Sequence, residues 1–588
     1  MKRTLRILTA AGLAGLAITF YLALNGPRTL TTVKAASIPG TATVSGSVDS
    51  SKPFKAAQVY FRNVDKGMVY MVYTVGGHYQ AMQLFPGNYE VSAKTKGLQN
   101  LTSDVTKMAL KAGQNSTTNL SMHEVPEQKK EIQYMSFSEI YPQGTGRAVA
   151  QRTCIYCHGE NFLPSHQWSE KQWNDALDFM TGKGNPQGAM IQPKDMSDQD
   201  RADILQYLVK NFGPDSRARA VKVDSDMPVE EANLGKAEFI EYYFPDDPPG
   251  QGVHDPKYAK PSAGGEGDFT GGRRMGQDPQ FDADGNVWVT DRGVPNRIVK
   301  LDPRAGEYKE YLTPEPMAGV HDLEVDRKTG LVWVPENEGI PAGNLKLRAF
   351  NIKNEKWEQE YLMDPKNVVP TLKHAQSLTF DSKGNIYNVF ILGGAIGKWN
   401  RETKVMTTYP IPTPNSFPYG IVTDKNDNIW IAEFHGSKVA KFDTKTNKFT
   451  EYAPPTQPAL IRRLNVDSDG KTIWFGLFSG GKLERLDPDT GNIKEWKIPH
   501  QVSEPYDEVA DHGEVWISDA GQGGALIKFN PKTETFTYYP TPQIADMPKI
   551  RITKEGAIWY SPRSSRQHPG LGVLYPDITK ITTLAAYH

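Results

Sequence analysis

Two cysteines occur in the 588 residues. Both lie in Thr153-Cys154-Ile155-Tyr156-Cys157-His158-Gly159. One short turn lets both thiols reach the two vinyl groups of a haem, and the histidine that follows is placed to ligate the iron. Cys-x-x-Cys-His is the c-type haem attachment signature. Two plainer uses of the pair fit less well. A thioredoxin-like redox pair follows a β-strand and lacks the adjacent histidine, and a zinc site needs further ligands. One covalent haem c, with His158 as proximal ligand, is therefore expected. Other spacings carry less. Asp282-Ala283-Asp284-Gly285 and Asp467-Ser468-Asp469-Gly470 open like calcium loops but lack the distal glutamate, and they stand where hairpin turns are needed. Arg273, Arg274, Arg462, Arg463, Arg551, Arg563 and Arg566 could draw an anionic substrate or solvate loops. No Gly-x-Ser-x-Gly, His-Glu-x-x-His or Walker loop occurs, so hydrolase and nucleotide chemistry lack support.

The elements that must position these groups fall into three regions. Around the cysteines, residues 141–213 read as helical. Trp173, Leu177 and Met180 recur at helical spacing, and Ser197-Asp198-Gln199-Asp200 opens an amphipathic helix that Gly213-Pro214 stops. The last 330 or so residues are a repeat. Aromatics after a Gly/Asn turn stand at Trp288, Trp333, Tyr387, Trp430, Trp474, Trp516 and Trp559, 42 to 54 residues apart. Each unit has room for four strands, which predicts seven propeller blades. Before both regions, residues 38–122 alternate apolar and polar between Gly, Pro and Asn turns, as β-strands do. Residues 124–131 read as a polar linker, and 214–262 as a second one holding a stray outer strand, Glu238-Phe239-Ile240-Glu241-Tyr242-Tyr243-Phe244-Pro245, that closes or covers the ring. The expected fold is multidomain and mainly β: a β-sandwich over 38–122, a small all-α domain over 141–213 and a seven-bladed β-propeller over 263–588.

Three resemblances refine this. Gly46-Ser47-Val48, Ala57-Gln58-Val59-Tyr60 and Leu84-Phe85-Pro86-Gly87-Asn88-Tyr89-Glu90-Val91 resemble the carboxypeptidase regulatory-like domain. No acids, histidines or nucleophile converge there, and a spacer or docking role is expected, with His78 and His123 solvated. The helices around the Cys-x-x-Cys-His motif resemble a class I cytochrome c domain. That likeness implies a distal methionine before the last helix: Met190 first, Met180 as the alternative, with Met196 packing. A His–Met pair leaves no open iron position and suits electron transfer. Pro418-Tyr419-Gly420-Ile421, Asn428-Ile429-Trp430-Ile431-Ala432-Glu433 and Lys438-Val439-Ala440-Lys441-Phe442-Asp443 are similar to the blade of streptogramin (virginiamycin B) lyases, magnesium-dependent propellers that open a cyclic depsipeptide by elimination. The likeness implies an inner-strand histidine with a glutamate three residues after the blade aromatic. His321 with Glu336 is the one such pair. The second histidine expected a blade earlier is Gln277, and His374 is off register by two. At the post-aromatic position Asp291, Glu336, Glu433 and Asp519 could together hold Mg²⁺ or Ca²⁺, or each could cap its own loop. Tyr419 and Arg462 stand at inner-strand positions of the same channel.

Composition limits the setting. Lys+Arg 67 against Asp+Glu 68 gives −1, and 23% charged residues describe a soluble chain without the basic excess that nucleic-acid binding requires. Lys2, Arg3 and Arg6 precede an apolar run over 7–24 and small residues near Ala35, which reads as a bacterial export signal over 1–35 or, uncleaved, an anchor. Its removal takes five basic and no acidic groups, leaving −6. The expected location is periplasmic or extracytoplasmic, with membrane contact only through an uncleaved signal. Two function classes remain open. One couples haem electron transfer to a substrate or partner at the propeller, with a redox protein or small-molecule donor. The other is a carbon–oxygen lyase of the virginiamycin B type, or a non-redox ligand-binding propeller with a tethered cytochrome.

Overall fold

The computed structural model describes residues 38–125, 133–183, 190–191, 195–221, 228–251, 274–293, 295–317, 319–336, 344–364, 373–499, 503–511, 513–520, 524–563 and 568–587. The expected export signal over 1–35, Arg273 and Arg566 lie outside them, as do parts of both expected linkers. Among the described residues no helix is long and apolar enough to cross a membrane.

The chain is mainly β and is dominated by propeller-like repeats. Six four-stranded antiparallel sheets follow one another in chain order. In one of them Pro418–Thr423, Ile429–Glu433, Lys438–Asp443 and Lys448–Tyr452 pair in sequence. Its second strand is buried at every position, because a sheet packed between neighbours has two covered faces. The seven aromatics that defined the repeat are all on second strands and at most 3% exposed. Three of the indoles find acceptors among the turn aspartates: Trp288 Nε1 donates to Asp282 at 2.9 Å, Trp430 to Asp424 at 3.0 Å and Trp474 to Asp467 at 2.8 Å. Asp282 also accepts from the backbone N–H groups of Asp284 and Asn286 and from the Asn286 amide. Its oxygens are thus occupied by the hairpin, which is what an Asx turn requires.

Four successive inner strands carry a further regularity. The register to the second strand shifts between Ala375 and Leu378, Pro418 and Ile421, Ile461 and Leu464, and Pro505 and Asp507. These are bulges at one place in four successive sheets. An extra residue there bends the strand and re-aims the side chains it carries. Gln376, Tyr419, Arg462 and Tyr506 all sit inside them.

The stray strand has a larger part than covering the ring. Glu238–Tyr243 pairs with Gly570–Tyr575 on one edge and with Met68–Tyr73 on the other. Both edges are therefore filled, and its first five residues are buried. It joins the sheet of Ile550–Ile552, Ile558–Tyr560 and Gly570–Tyr575 to the N-terminal strands, which continue through Gln58–Asn63 and Gly87–Thr95. Ala42–Ser50 pairs with His78–Leu84, and the ring of Phe61 meets Tyr79 edge-on at 5.9 Å. His78 is exposed, and His123 lies 3.5 Å from Asp104 at the surface.

Between these β regions the helical segment has its own core of Ile140, Tyr141, Val149, Leu163, Trp173, Leu177, Ile204, Tyr207, Leu208 and Phe212. Glu170–Met180 and Asp198–Phe212 are the long helices. Ser169 with Gln172, and Ser197 with Asp200, form reciprocal N-caps that satisfy backbone N–H groups the first turn leaves open. Thr145–Val149 crosses the last helix at Gly146, where a Cβ would lie 2.4 Å from that of Tyr207. Only glycine permits that approach.

Candidate functional site

The site begins with the cysteine turn. Ala150–Ile155 is wound as a π-helix that continues into Tyr156–His158, placing both thiols and the histidine on one continuous coil. Cys154 and Cys157 are free thiols of intermediate exposure. Cys154, Ile155, Phe162, Trp168 and Met180 pack around the helical core, and the His158 ring stacks on Phe162 at 4.3 Å. The N–H of Met190 donates to the Met180 carbonyl at 2.8 Å, so the two candidate distal methionines lie side by side. Met196 is buried in the core, as expected of a packing residue.

This turn faces the channel mouth of the propeller-like sheets. Arg462 Nη2 donates to the Cys157 carbonyl, and Ser479 Oγ to that of Tyr156 at 3.3 Å. Cys157 Sγ lies 3.6 Å from His435 Nε2. Gly159, at φ +77°, lies against the Glu504 carboxyl so closely that a Cβ would fall 1.9 Å from Oε1. Tyr156 and Cys157 pack on a buried apolar patch that includes Tyr419, Phe434, Leu460, Phe478 and Tyr506.

Beneath the turn, the bulged inner strands present a polar cluster. The hydroxyls of Tyr419 and Tyr506 are 2.6 Å apart. Arg462 Nη1 donates to both, at 3.4 and 3.2 Å, while its guanidinium lies over the rings of Phe478 at 4.1 Å, Tyr506 at 4.6 Å and Phe434 at 4.8 Å. Next along the channel, His321 lies edge-on to Tyr419 at 6.3 Å. His321 Nδ1 is 2.7 Å from Asp322 Oδ1, and Nε2 is 3.0 Å from the Gln376 amide nitrogen. The ring therefore donates at Nδ1 and accepts at Nε2. Burial drives its pKa down to about 3, outweighing the Asp322 carboxylate, so the ring is neutral and a weak base at pH 7. Deeper still, Asp322 accepts from Arg463 at 3.2 and 3.3 Å, from Ser377 at 2.6 Å and from Lys549 at 3.4 Å.

The expected residues divide accordingly. His321, Tyr419 and Arg462 meet in one cluster. Glu336 does not join them: it accepts from Arg348 Nε at 2.7 Å and Lys346 N at 3.0 Å. Asp291 is taken by Arg274 Nε at 2.8 Å and Met275 N at 2.7 Å, and Asp519 by Glu504 N at 2.7 Å and Ser503 Oγ at 3.1 Å. These three post-aromatic acids thus staple their own loops, and among the described residues no group of three or more His, Cys, Asp or Glu gathers to hold a metal ion. His374, off register by sequence, is a buried residue at φ +54°. Sequence reasoning missed Asp322 and Glu504. Neighbours in a strand point to opposite faces, but residues 321–323 are not in a strand, so Asp322 can turn back on His321. Glu504 matters only because the cysteine turn docks on it, and no local signal marks that.

Glu433 offers a test of this reading of the acids. It is fully buried beside Lys438 and Glu451; burial first, and the Glu451 charge second, push its carboxyl up to about 8. An acid raised above its unfolded value of about 4.3 contributes fully below that value and loses its contribution as pH rises toward the folded pKa. Glu433→Gln is therefore expected to raise Tm at pH 9 and to leave it nearly unchanged at pH 4. Melting curves showing the same difference at both pH values would overturn this.

The virginiamycin B lyase family matches residues 370–529. A solved streptogramin B lyase shares 24% identity over 51% of this chain and 93% of its own, with a TM-score of 0.45. Selenomethionine-substituted virginiamycin B lyase from Staphylococcus aureus shares 22% over 51% and 94%, at 0.44. A catalytically inactive form of that lyase with quinupristin gives 22%, 51%, 94% and 0.45. No curated protein matches the chain.

Proposed function

We propose that the chain is an exported electron-transfer protein in which a haem held by residues 154–158 exchanges electrons with a molecule bound at the mouth of a lyase-like propeller. The residues present fit the group. The thiols are unpaired and lie one turn apart, His158 follows on the same coil, and Ile155, Phe162, Trp168 and Met180 provide an apolar wall. Cys154 and Cys157 would hold the haem covalently, and His158 with Met190, or Met180 in its place, would ligate the iron. Bound there, the haem supplies one-electron transfer.

The rest falls to the chain's own residues. Arg462 holds the Cys157 carbonyl, Ser479 that of Tyr156, and Glu504 fills the space beside Gly159. Together they fix the attachment turn against the channel and keep Cys157 turned to the mouth rather than to solvent. This contact is the observation that carries the reading: an electron carrier that was merely tethered would have no need of a buried arginine on its attachment turn. In the same reading the six sheets and the set formed by Glu238–Tyr243, Ile550–Ile552, Ile558–Tyr560 and Gly570–Tyr575 are seven blades. The helical segment is a class I cytochrome c domain, and residues 38–122 are a carboxypeptidase regulatory-like spacer. The setting is periplasmic or extracytoplasmic, and the second electron partner is a redox protein or a small donor.

The test is a reduced-minus-oxidised spectrum of the full chain during a screen of small donors, comparing wild type with Arg462→Gln. Donor-dependent haem reduction that slows in the variant supports the reading. Reduction that proceeds at one rate in both, with every donor, sinks it.

A second reading is favoured by the family match over 370–529. An imidazole oriented by Asp322 is the group that proton abstraction in an elimination requires once Gln376 frees its Nε2; the lyase likeness would add a Mg²⁺, while Glu336 stays at its own loop. Under it His321→Ala lowers lyase turnover by roughly 10²–10⁴-fold, the usual range for losing a general base. No cleavage of a cyclic depsipeptide by the wild-type chain would exclude it. The fold does not decide between the two, since propellers host enzymes and binding scaffolds alike.

A further inference from the structure

The mouth holds two buried donors without a partner, beside one such acceptor, Asp546 Oδ1. Arg563 ion-pairs with Asp546, and its Nη1 donates to the Gln277 side-chain oxygen at 2.9 Å, which turns the Gln277 amide nitrogen the other way. That nitrogen is fully buried and without a partner, and so is Arg462 Nε. Arg462 has hydroxyl and carbonyl acceptors only, with no carboxylate among them. The nearby Glu504 carboxyl does not neutralise it, because burial and then the Asp519 charge hold that carboxyl well above its usual range. Leaving a buried donor unpaired is costly, so each of these orphans calls for an acceptor. Tyr419 and Tyr506 form one hydrogen-bonded pair in the field of these arginines, and burial with the Tyr419 charge keeps the Tyr506 phenol up at about 12. Burial opposes ionisation of Tyr419, yet Arg462, Arg463 and Arg563 outweigh burial and hold its phenol below the ordinary value. The rings of Tyr419, Phe434, Phe478 and Tyr506 around the guanidinium suit an organic anion better than a hydrated inorganic one.

We propose that this mouth binds the carboxylate of a small organic acid, with Arg462 and the Gln277 amide taking its oxygens beneath the cysteine turn. The ligand class deepens the reading given under the proposed function and rests on it for its role, whereas binding itself is independent of electron flow. Gln277 thereby acquires a use in place of the histidine that the lyase likeness leads one to expect there.

Benzoate and its neutral isostere benzamide, titrated calorimetrically into the full-length haem-loaded chain, test this. Benzoate is expected to bind at one site per chain, and benzamide at least about tenfold more weakly. Arg462→Met is expected to weaken benzoate by roughly 10- to 100-fold, as for a charge-assisted pair. Gln277→Leu is expected to weaken it by about three- to tenfold and carries the test alone should the arginine variant fail to fold. Equal binding of benzoate and benzamide, no binding of benzoate, or wild-type affinity in Gln277→Leu would overturn the proposal. The haem's reduction potential separates it from the reading beneath. Bound benzoate should lower that potential, since an anion favours the oxidised iron. An unmoved potential with binding intact leaves the anion site standing and counts against electron exchange at the mouth.

Discussion

Replacing Cys154 and Cys157 together with serine is expected to yield a chain that carries no haem through denaturation, where the wild-type chain, exported alongside a haem-attachment system, stains fully. Serine keeps the size of each side chain, and both cysteines are only partly buried, so the β regions should melt as before. The single variants should each keep one thioether and shift the absorption of the reduced form. Met190→Ala should keep the covalent haem but lose the sulfur-to-iron charge-transfer band; loss of that band only in Met180→Ala would exchange the two assignments. Wild-type chain without haem stain would remove the cofactor and the electron-transfer reading with it.

The second large effect belongs to the channel floor. Asp322→Ala should destabilise the protein by about 3–5 kcal/mol, the usual cost of stripping one partner from a buried ion pair. Asp322 is fully buried, and its loss removes the one carboxylate within ion-pair distance of Arg463, 3% exposed, among the described residues; Lys549 retains Asp278. Against a typical total stability of about 5–15 kcal/mol that is a large share. The pH dependence has a definite sign. Burial opposes ionisation of Asp322, but Arg463, Lys549 and His321 hold its carboxyl well below the usual range. A depressed acid contributes above its unfolded value, about 3.9, and loses that contribution as pH falls through the folded one. The gap between wild type and Asp322→Ala, read by denaturant unfolding, should therefore be widest near neutrality and close in acid. A gap below about 1 kcal/mol at pH 7 would be that of an exposed pair and would overturn this account of the floor.

The channel residues show what patterns can and cannot convey. Seven aromatics at regular spacing predicted the repeat because each must be buried on a second strand to hold neighbouring sheets together, and all seven are. The inner-strand positions Gln277, His321, Gln376, Tyr419, Arg462 and Tyr506 were legible for the same reason: repetition carries a position from one sheet to the next. The pairing of His321 with Glu336 was not. It assumed that the post-aromatic acid points into the channel, whereas Arg348 and the Lys346 amide hold Glu336 at its own loop. The stray strand was visible as a strand, but its pairing with Met68–Tyr73 was not, since an edge's partner lies about 170 residues away in the chain and leaves no local trace.

The sequence by itself determined the strand count of each repeat and the turn role of Asp282 and Asp467, and it alone carries the expectation of a haem at the cysteine turn, because each depends on residues within a few positions of one another. Only the tertiary structure decided where that turn lies. Arg462 and Cys157 are 305 residues apart, and Gly159 meets Glu504 by a contact that no spacing encodes. Local periodicity specifies which face of a strand is buried; which distant surface comes to cover it follows from how the folded regions pack. The bulges aim Tyr419, Arg462 and Tyr506 at the channel mouth, and the docking of the cysteine turn makes that mouth one site.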